Sequence, residues 1–133
     1  MRTAPTRSTG PRSDYSERQI RPPAARTPMD LQQEAERVSA AGEELARTLH
    51  LKHLQTYQEL VREFLTAVVT QAYRLRRDVG RDRRGRSRVF QIVLQVDQAL
   101  ADLAQAVLAG EQARLQILAR LDEIRGLLVD LYR

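Results

Sequence analysis

Residues 74–88 read RLRRDVGRDRRGRSR and hold arginine at eight of fifteen positions. A guanidinium group presents several N–H donors in a plane, which suits the oxygens of phosphate groups. The cluster is therefore suited to an anion or a nucleic-acid backbone, with contacts that would be weak, sensitive to salt and nearly independent of base sequence. We predict that these contacts come from Arg81, Arg83, Arg84, Arg86 and Arg88.

Residues 80–87, GRDRRGRS, also match the phosphate-binding loop G-x-x-x-x-G-K-[ST], with Arg86 in place of the lysine. That loop needs a strand before it, so that backbone donors converge on the phosphates. The preceding 30 residues are patterned as a helix instead, and no second strand ends in a magnesium-binding aspartate. Nucleotide hydrolysis is therefore disfavoured.

Two other interpretations of the arginine cluster stay open. Asp78 and Asp82 can pair with neighbouring arginines, and Gly80 and Gly85 permit a turn, so the stretch suits a solvated loop. The stretch is also suited to binding an acidic protein partner. No aromatic residue is interleaved for base stacking, because Phe90 fits an apolar helix position.

The remaining reactive residue types give no constellation. His50 and His53 lie three apart, but no thiolate or Glu-x-x-His pair accompanies them, and an exposed pair near a helix start is favoured. Asp122 and Arg125 have the spacing of a surface ion pair, and no carboxylate dyad stands out. We expect a noncatalytic protein with no catalytic residue, metal site or cofactor.

Composition and charge set the organisation of the 133-residue chain. Its 42% apolar content suits one domain, and the lack of cysteine excludes disulfides and fits a cytoplasmic setting. No apolar run approaches the roughly 20 residues that span a bilayer, so no membrane contact is expected. Net charge is +4 over residues 1–28, −3 over 29–73, +6 over 74–88 and −2 over 89–133.

Residues 1–27 are rich in Pro, Arg, Ser and Thr and have almost no large apolar side chains. Such a segment cannot offset its ordering entropy by burial, so we predict a disordered basic tail. Order is predicted to begin at Thr27 and Pro28, which suit a helix start, and to fill a bundle domain over residues 28–133.

Apolar residues recur at steps of three and four through that domain, the repeat of helices that pack side by side. A five-residue step after Leu49 predicts a break between Thr48 and His53, and Gly80 predicts a helix end. Ser87 is a candidate cap for the next helix. At Gly110 the repeat allows either a turn or one long helix, and we favour the turn. The four helices are predicted at 28–47, 49–79, 88–109 and 111–132.

These helices predict an all-α, up-and-down bundle with a coiled-coil-like core. Gly126 lies inside a helical stretch, where glycine costs about 1 kcal/mol relative to alanine, and this indicates a close approach of two helices. The predicted helix-packing residues are Tyr57, Phe64, Gly126, Leu127 and Leu131.

Three stretches carry a family resemblance: YQELVREFLTAVV (57–69), RDRRGRSRV (81–89) and EIRGLLVDLY (123–132). Together they resemble the YaaR family of bacterial helical proteins, over about residues 30–132. The resemblance implies a cytoplasmic bundle of about four helices. It implies no activity, cofactor or catalytic residue, because the domain of that family has no assigned function.

The functional expectation is an adaptor or regulator that acts through contacts with an unidentified protein partner. A homodimer is a further expectation, because long apolar stripes exceed what one bundle buries. The alternative is an accessory protein that binds nucleic acid weakly through residues 81–88.

Overall fold

The computed structural model describes residues 28–79 and 83–133, so the predicted tail over residues 1–27 lies outside the described residues. Four helices follow one another along the chain. They are α1 (Pro28–Thr48), α2 (Leu51–Val79), α3 (Arg83–Ala109) and α4 (Arg114–Tyr132), and a short 3-10 turn, Glu111–Ala113, precedes α4.

The helices form a ring in which each packs against two others: α1 against α2 and α4, and α3 against α2 and α4. The short connections make consecutive helices antiparallel, and the α1–α2 and α3–α4 turns lie at the same end. The predicted all-α bundle of four helices is confirmed. A bundle of this kind buries one apolar stripe from each helix along a shared axis.

The core follows the three-and-four repeat. The most deeply buried side chains come from all four helices and lose nearly all contact with solvent: Leu45, Tyr57, Val61, Phe64, Val96, Leu103, Ile117, Ile124 and Leu128. The predicted packing residues Leu127 and Leu131 lie at the edge of this core, half-buried against it. Among the described residues no charged or polar side chain is buried, so apolar burial dominates the cohesion of the bundle.

The chain breaks between α1 and α2 where the five-residue step predicts it. Leu49 adopts a left-handed conformation with φ 55°, and its N–H donates to the carbonyl of Leu45 at 2.7 Å. The N–H of His50 donates to the Thr48 hydroxyl at 3.2 Å. These bonds satisfy backbone groups at the helix ends, which stabilises the sharp turn.

The turn predicted at Gly110 is also confirmed, and one continuous helix is excluded. Gly110 has φ 93°, a conformation that a side chain would strain. Beyond it, Arg114 donates a hydrogen bond to the carbonyl of Ala46 at 2.6 Å, across the bundle. The polar residue that interrupts the apolar repeat thus joins the start of α4 to the end of α1, where a cation complements the helix dipole.

Glu111 holds Arg114 in place from the other side, with Arg114 Nε 2.6 Å from the carboxylate. This hydrogen bond lowers the pKa of Glu111 and raises the pKa of Arg114, because it stabilises both charged forms. The ion pair lies in solvent, so its main effect is to orient the guanidinium toward Ala46.

Two predictions are wrong. Helix α3 begins at Arg83 rather than at residue 88, so Ser87 lies inside the helix and does not cap it. Arginine is a good helix former, and the single glycine at position 85 is not enough to end the helix. No close approach occurs at Gly126, because a Cβ added there would meet no atom within 4 Å.

Helices α2 and α3 extend beyond α1 and α4 at one end of the bundle. Helix α2 has 29 residues against 21 in α1, and α3 has 27 against 19 in α4. Eight extra residues correspond to roughly 12 Å of helix. We call residues 72–79 and 83–90 the overhang, and the rest of the four helices the body. The overhang lies at the end opposite the two short turns.

One segment of α3, Ser87–Ala109, is long and apolar enough on average to cross a membrane, although Asp97 and Asp102 interrupt it. Length and composition alone also admit the core helix of a soluble bundle. Here Val96, Leu100 and Leu103 pack into the core. The segment is therefore weak evidence for a membrane span.

Candidate functional site

The predicted arginine contacts belong to the overhang. Arg83, Arg84, Arg86 and Arg88 lie in the first two turns of α3, whereas Arg81 falls outside the described residues. Among these four, the structure describes only the side chain of Arg88, and it is exposed. The cluster is therefore partly helical and projects from the end of the body rather than forming a loop over residues 81–88.

An aromatic pair lies where the overhang meets the body. The rings of Tyr73 and Phe90 have centroids 5.9 Å apart, and both side chains stay partly exposed, at 48% and 36%. Sequence reasoning missed this feature, because it assigned Phe90 to an apolar helix position.

The second candidate is a groove between α1 and α4, with Tyr57 of α2 beneath it. On the α1 side, residues at steps of four, three and four are all small: Ala35, Ser39, Gly42 and Ala46. Two adjoining hollows, of about 160 and about 370 Å³, share Ser39, Glu43 and Arg125 as lining residues. They form one surface running from Gln32 and Tyr132 toward Ala46 and Leu118, which we call the α1–α4 groove.

Gly42 is the point at which a side chain is least tolerated in this groove. A Cβ built on it would lie 3.1 Å from Tyr57 Cε1 and 3.4 Å from Leu121 Cδ2. The close contact that was predicted for Gly126 is therefore made by Gly42. Burial raises the pKa of Tyr57, because the phenolate would lose its hydration.

Charged side chains line the rim of the groove above this apolar floor. Glu36 and Glu43 come from α1, and Asp122 and Arg125 come from α4. Three carboxylates against one guanidinium give the rim an acidic balance. Leu118 lies at one end of the groove with 44% of its surface exposed. The groove therefore combines an apolar floor with an acidic rim.

The two histidines sit at the α1–α2 turn, with ring centroids 6.1 Å apart. His50 is exposed, whereas His53 is half-buried, with Nδ1 2.6 Å from the Thr48 hydroxyl and Nε2 3.8 Å from Glu44. The predicted exposed pair is thus correct for His50 only. In residues 28–79 and 83–133, no group of three or more potential ligands is arranged to hold a metal ion.

Arg120 of α4 carries the one buried polar side-chain atom without a hydrogen bond in the described part of the chain, its Nε. Its Nη1 lies 3.4 Å from Glu123 and 4.0 Å from Asp102 of α3. These ion pairs cross the outer face of the α3–α4 interface. They are partly exposed and contribute little to stability.

A family model described as a protein of unknown function, DUF327, matches residues 8–132. The chain belongs to the DUF327 family. The chain is also similar to the uncharacterized protein YaaR of Bacillus subtilis (strain 168), with 28% identity over 95 residues. That alignment spans 71% of this chain and 65% of the relative, so the YaaR resemblance is confirmed.

Two solved structures share the fold of this DUF327 protein. The uncharacterized protein BH1478 from Bacillus halodurans is 37% identical, with a TM-score of 0.66 over 77% of this chain and 84% of that one. A designed granulopoietic protein, Moevan, is also 37% identical, with a TM-score of 0.72 over 80% and 91% of the two chains. Neither the family description nor the description of BH1478 names a function.

Proposed function

We propose that this DUF327 protein is a noncatalytic adaptor or regulator that binds a protein partner in the α1–α4 groove. The observation that carries the proposal is the pairing of a small-residue row on α1 with an open hollow of about 160 Å³, lined by Leu118 and Leu121 of α4. Larger side chains along that row would fill the space from within. Left open, it can accept side chains from another molecule.

A helix is the partner element that fits best. The small residues repeat at steps of three and four, the spacing at which a packed helix inserts its own side chains. The groove runs along two helices from Gln32 to Ala46, a length of roughly 21 Å or four helical turns. An amphipathic helix with apolar residues on one face would cover Leu118, which is 44% exposed. Basic residues beside that face would meet Glu43 and Asp122.

The test is affinity capture from native cells with the full chain and two matched variants. Ser39→Trp fills the groove, whereas Thr56→Trp places the same side chain on an exposed position of α2. We expect the wild type and Thr56→Trp to recover one stoichiometric protein that Ser39→Trp loses by at least tenfold. Equal recovery by all three would refute the groove as the contact surface.

A second groove variant guards against misfolding. Glu43→Lys changes an exposed rim residue, so the fold should tolerate it while the charge bias of the groove is reversed. Circular dichroism and thermal unfolding establish that each variant is folded before capture. Loss of the partner by both groove variants, with unchanged unfolding, would support the proposal.

A second candidate function rests on the overhang. The described ends of α2 and α3 project beyond the mildly acidic body, and residues 74–88 carry eight arginines. A projecting cationic tip can neutralise phosphates on a nucleic acid without a steric conflict with the body. Binding would be weak, strongly dependent on salt and nearly independent of sequence.

Four substitutions test this candidate. We expect Arg81, Arg83, Arg84 and Arg86 changed to Ala to abolish retention of DNA and RNA at low salt. A control with Arg37, Arg62, Arg125 and Arg133 changed to Ala has the same net charge but an intact overhang, and it should still bind. No salt-dependent binding by the wild type at about 50 mM salt would contradict the nucleic-acid function.

A further inference from the structure

We infer that residues 8–27 of this chain dock along the α1–α4 groove. The docking does not depend on the proposed partner. It names an occupant of the groove that is always present, and any partner helix would have to displace it. Three observations support the inference: where the segment joins the bundle, its charge, and the extent of the family match.

The segment joins the bundle beside the groove. It leads into α1 at Pro28, and the groove begins at Gln32 of α1, opposite Tyr132 at the end of α4. From there to Ala46 the groove is roughly 21 Å long. Twenty residues span up to roughly 66 Å when extended. The segment is therefore long enough to turn back at Pro28 and run the whole length of the groove.

The charges of the segment and the groove are complementary. Residues 8–27 carry four arginines against Asp14 and Glu17, a net charge of +2. The groove rim carries three carboxylates against Arg125. Tyr15 and Ile20 are the only large apolar side chains in the segment, and the apolar space above Tyr57 offers them burial. A tethered segment needs little intrinsic affinity, because its effective concentration is in the millimolar range.

The family match extends over the same segment. It begins at residue 8, twenty residues before α1, and ends at residue 132 near the end of α4. A tail with no role in the domain would not be expected to follow the family pattern. The match therefore favours a segment that works together with the four helices.

Paramagnetic relaxation provides the test, and the lack of cysteine in the chain allows clean single labels. A nitroxide at Ser39→Cys lies in the groove, and one at Ala40→Cys lies at its exposed rim. A nitroxide at Gln95→Cys lies on an exposed position of α3, which packs mainly against α2 and α4. We expect amide signals of residues 8–27 to broaden at least several-fold more with either groove label than with the α3 label.

Charge reversal separates docking from chance encounters. With the label at Ala40→Cys, adding Glu43→Lys and Asp122→Lys should reduce the broadening at residues 8–27 to the level seen with the α3 label. Equal broadening from the groove and α3 labels, or broadening that ignores the charge reversal, would overturn the inference. Because no partner is present in this experiment, its failure leaves the proposed function standing, and failed partner capture leaves the docking standing.

Discussion

The body and the overhang use the same helices and the same apolar repeat, yet they differ in what that repeat achieves. In the body, Val96 and Ile124 lie among four helices and lose all exposure to solvent. In the overhang, Val89 is only half-buried and Phe90 is 36% exposed, because two helices can cover only part of each other. The apolar repeat thus predicts the helices, and the number of neighbouring helices determines how much apolar surface each helix buries.

Charge follows the same division. The overhang and its connection carry a net charge of +6 over residues 74–88, whereas the segments on either side, 29–73 and 89–133, carry −3 and −2. A region that cannot bury apolar surface needs polar residues to stay in water. The two proposed functions use these two regions: the body has the groove for the proposed protein partner, and the overhang has arginines for the proposed phosphate contact.

The largest expected effect is a loss of stability from a substitution in the core of the body. Phe64→Ala should lower the free energy of unfolding by about 3–5 kcal/mol, because the side chain is 1% exposed and leaves a cavity. Tyr73→Ala in the overhang should cost about 1 kcal/mol or less, because half of the side chain is already in water. Urea unfolding measures both, and equal losses would show that the overhang is as tightly packed as the body.

The next effect concerns the end of the body that is opposite the overhang. Arg114→Ala removes the hydrogen bond to the carbonyl of Ala46, and we expect urea unfolding to show a clear loss of stability. Arg37→Ala, at an exposed position of α1, should change stability by less than about 0.5 kcal/mol. If the two substitutions cost the same, Arg114 does not fasten α4 to α1.

Gly42 and Gly126 are both helical glycines of the body, but only Gly42 lies close to side chains of other helices. Gly126→Ala should raise the free energy of unfolding by about 0.5–1 kcal/mol, and the melting temperature with it. The added methyl group meets no atom within 4 Å, and helix propensity improves. Gly42→Ala gains the same propensity but forces a contact of 3.1 Å with Tyr57. It should stabilise less than Gly126→Ala or destabilise, and a larger gain at Gly42 would contradict the groove geometry.

The smallest expected effect is that of Tyr57→Phe, which changes the pH dependence of stability only in the alkaline range. Burial raises the pKa of Tyr57 above its usual value of about 10. Stability that depends on the neutral phenol is fully present below pH 10 and is lost as the pH rises toward the raised pKa. Tyr57→Phe should therefore lose less stability than the wild type between pH 9 and 11. Parallel pH profiles for the two proteins would show that Tyr57 is accessible to water.

Local signals in the sequence predicted most of the fold. The break after Leu49 and the turn at Gly110 follow from the apolar repeat, because each depends on neighbours along the chain. The start of α3 was misplaced because helix propensity around Gly85 tolerates either state. Gly42 and Gly126 show the limit more clearly: both are glycines within helices, and only the packing of α1 on α2 and α4 decides which one is in close contact.

The candidate site was less predictable than the fold for the same reason. The arginine cluster is a run of neighbouring residues, so the sequence itself shows it. The α1–α4 groove joins Gly42 to Leu121 across 79 residues, and no local pattern indicates that pairing. A row of small residues on α1 was the available signal, and it becomes meaningful only when the helix opposite is known.

Hydrogen exchange of the full chain, alone and bound to the partner that it captures, tests the proposed function most directly. We expect binding to slow amide exchange in residues 39–46 of α1 and 118–125 of α4, with little change in the overhang. Slower exchange confined to residues 72–79 and 83–90, or a wild-type chain that captures no protein, would contradict it.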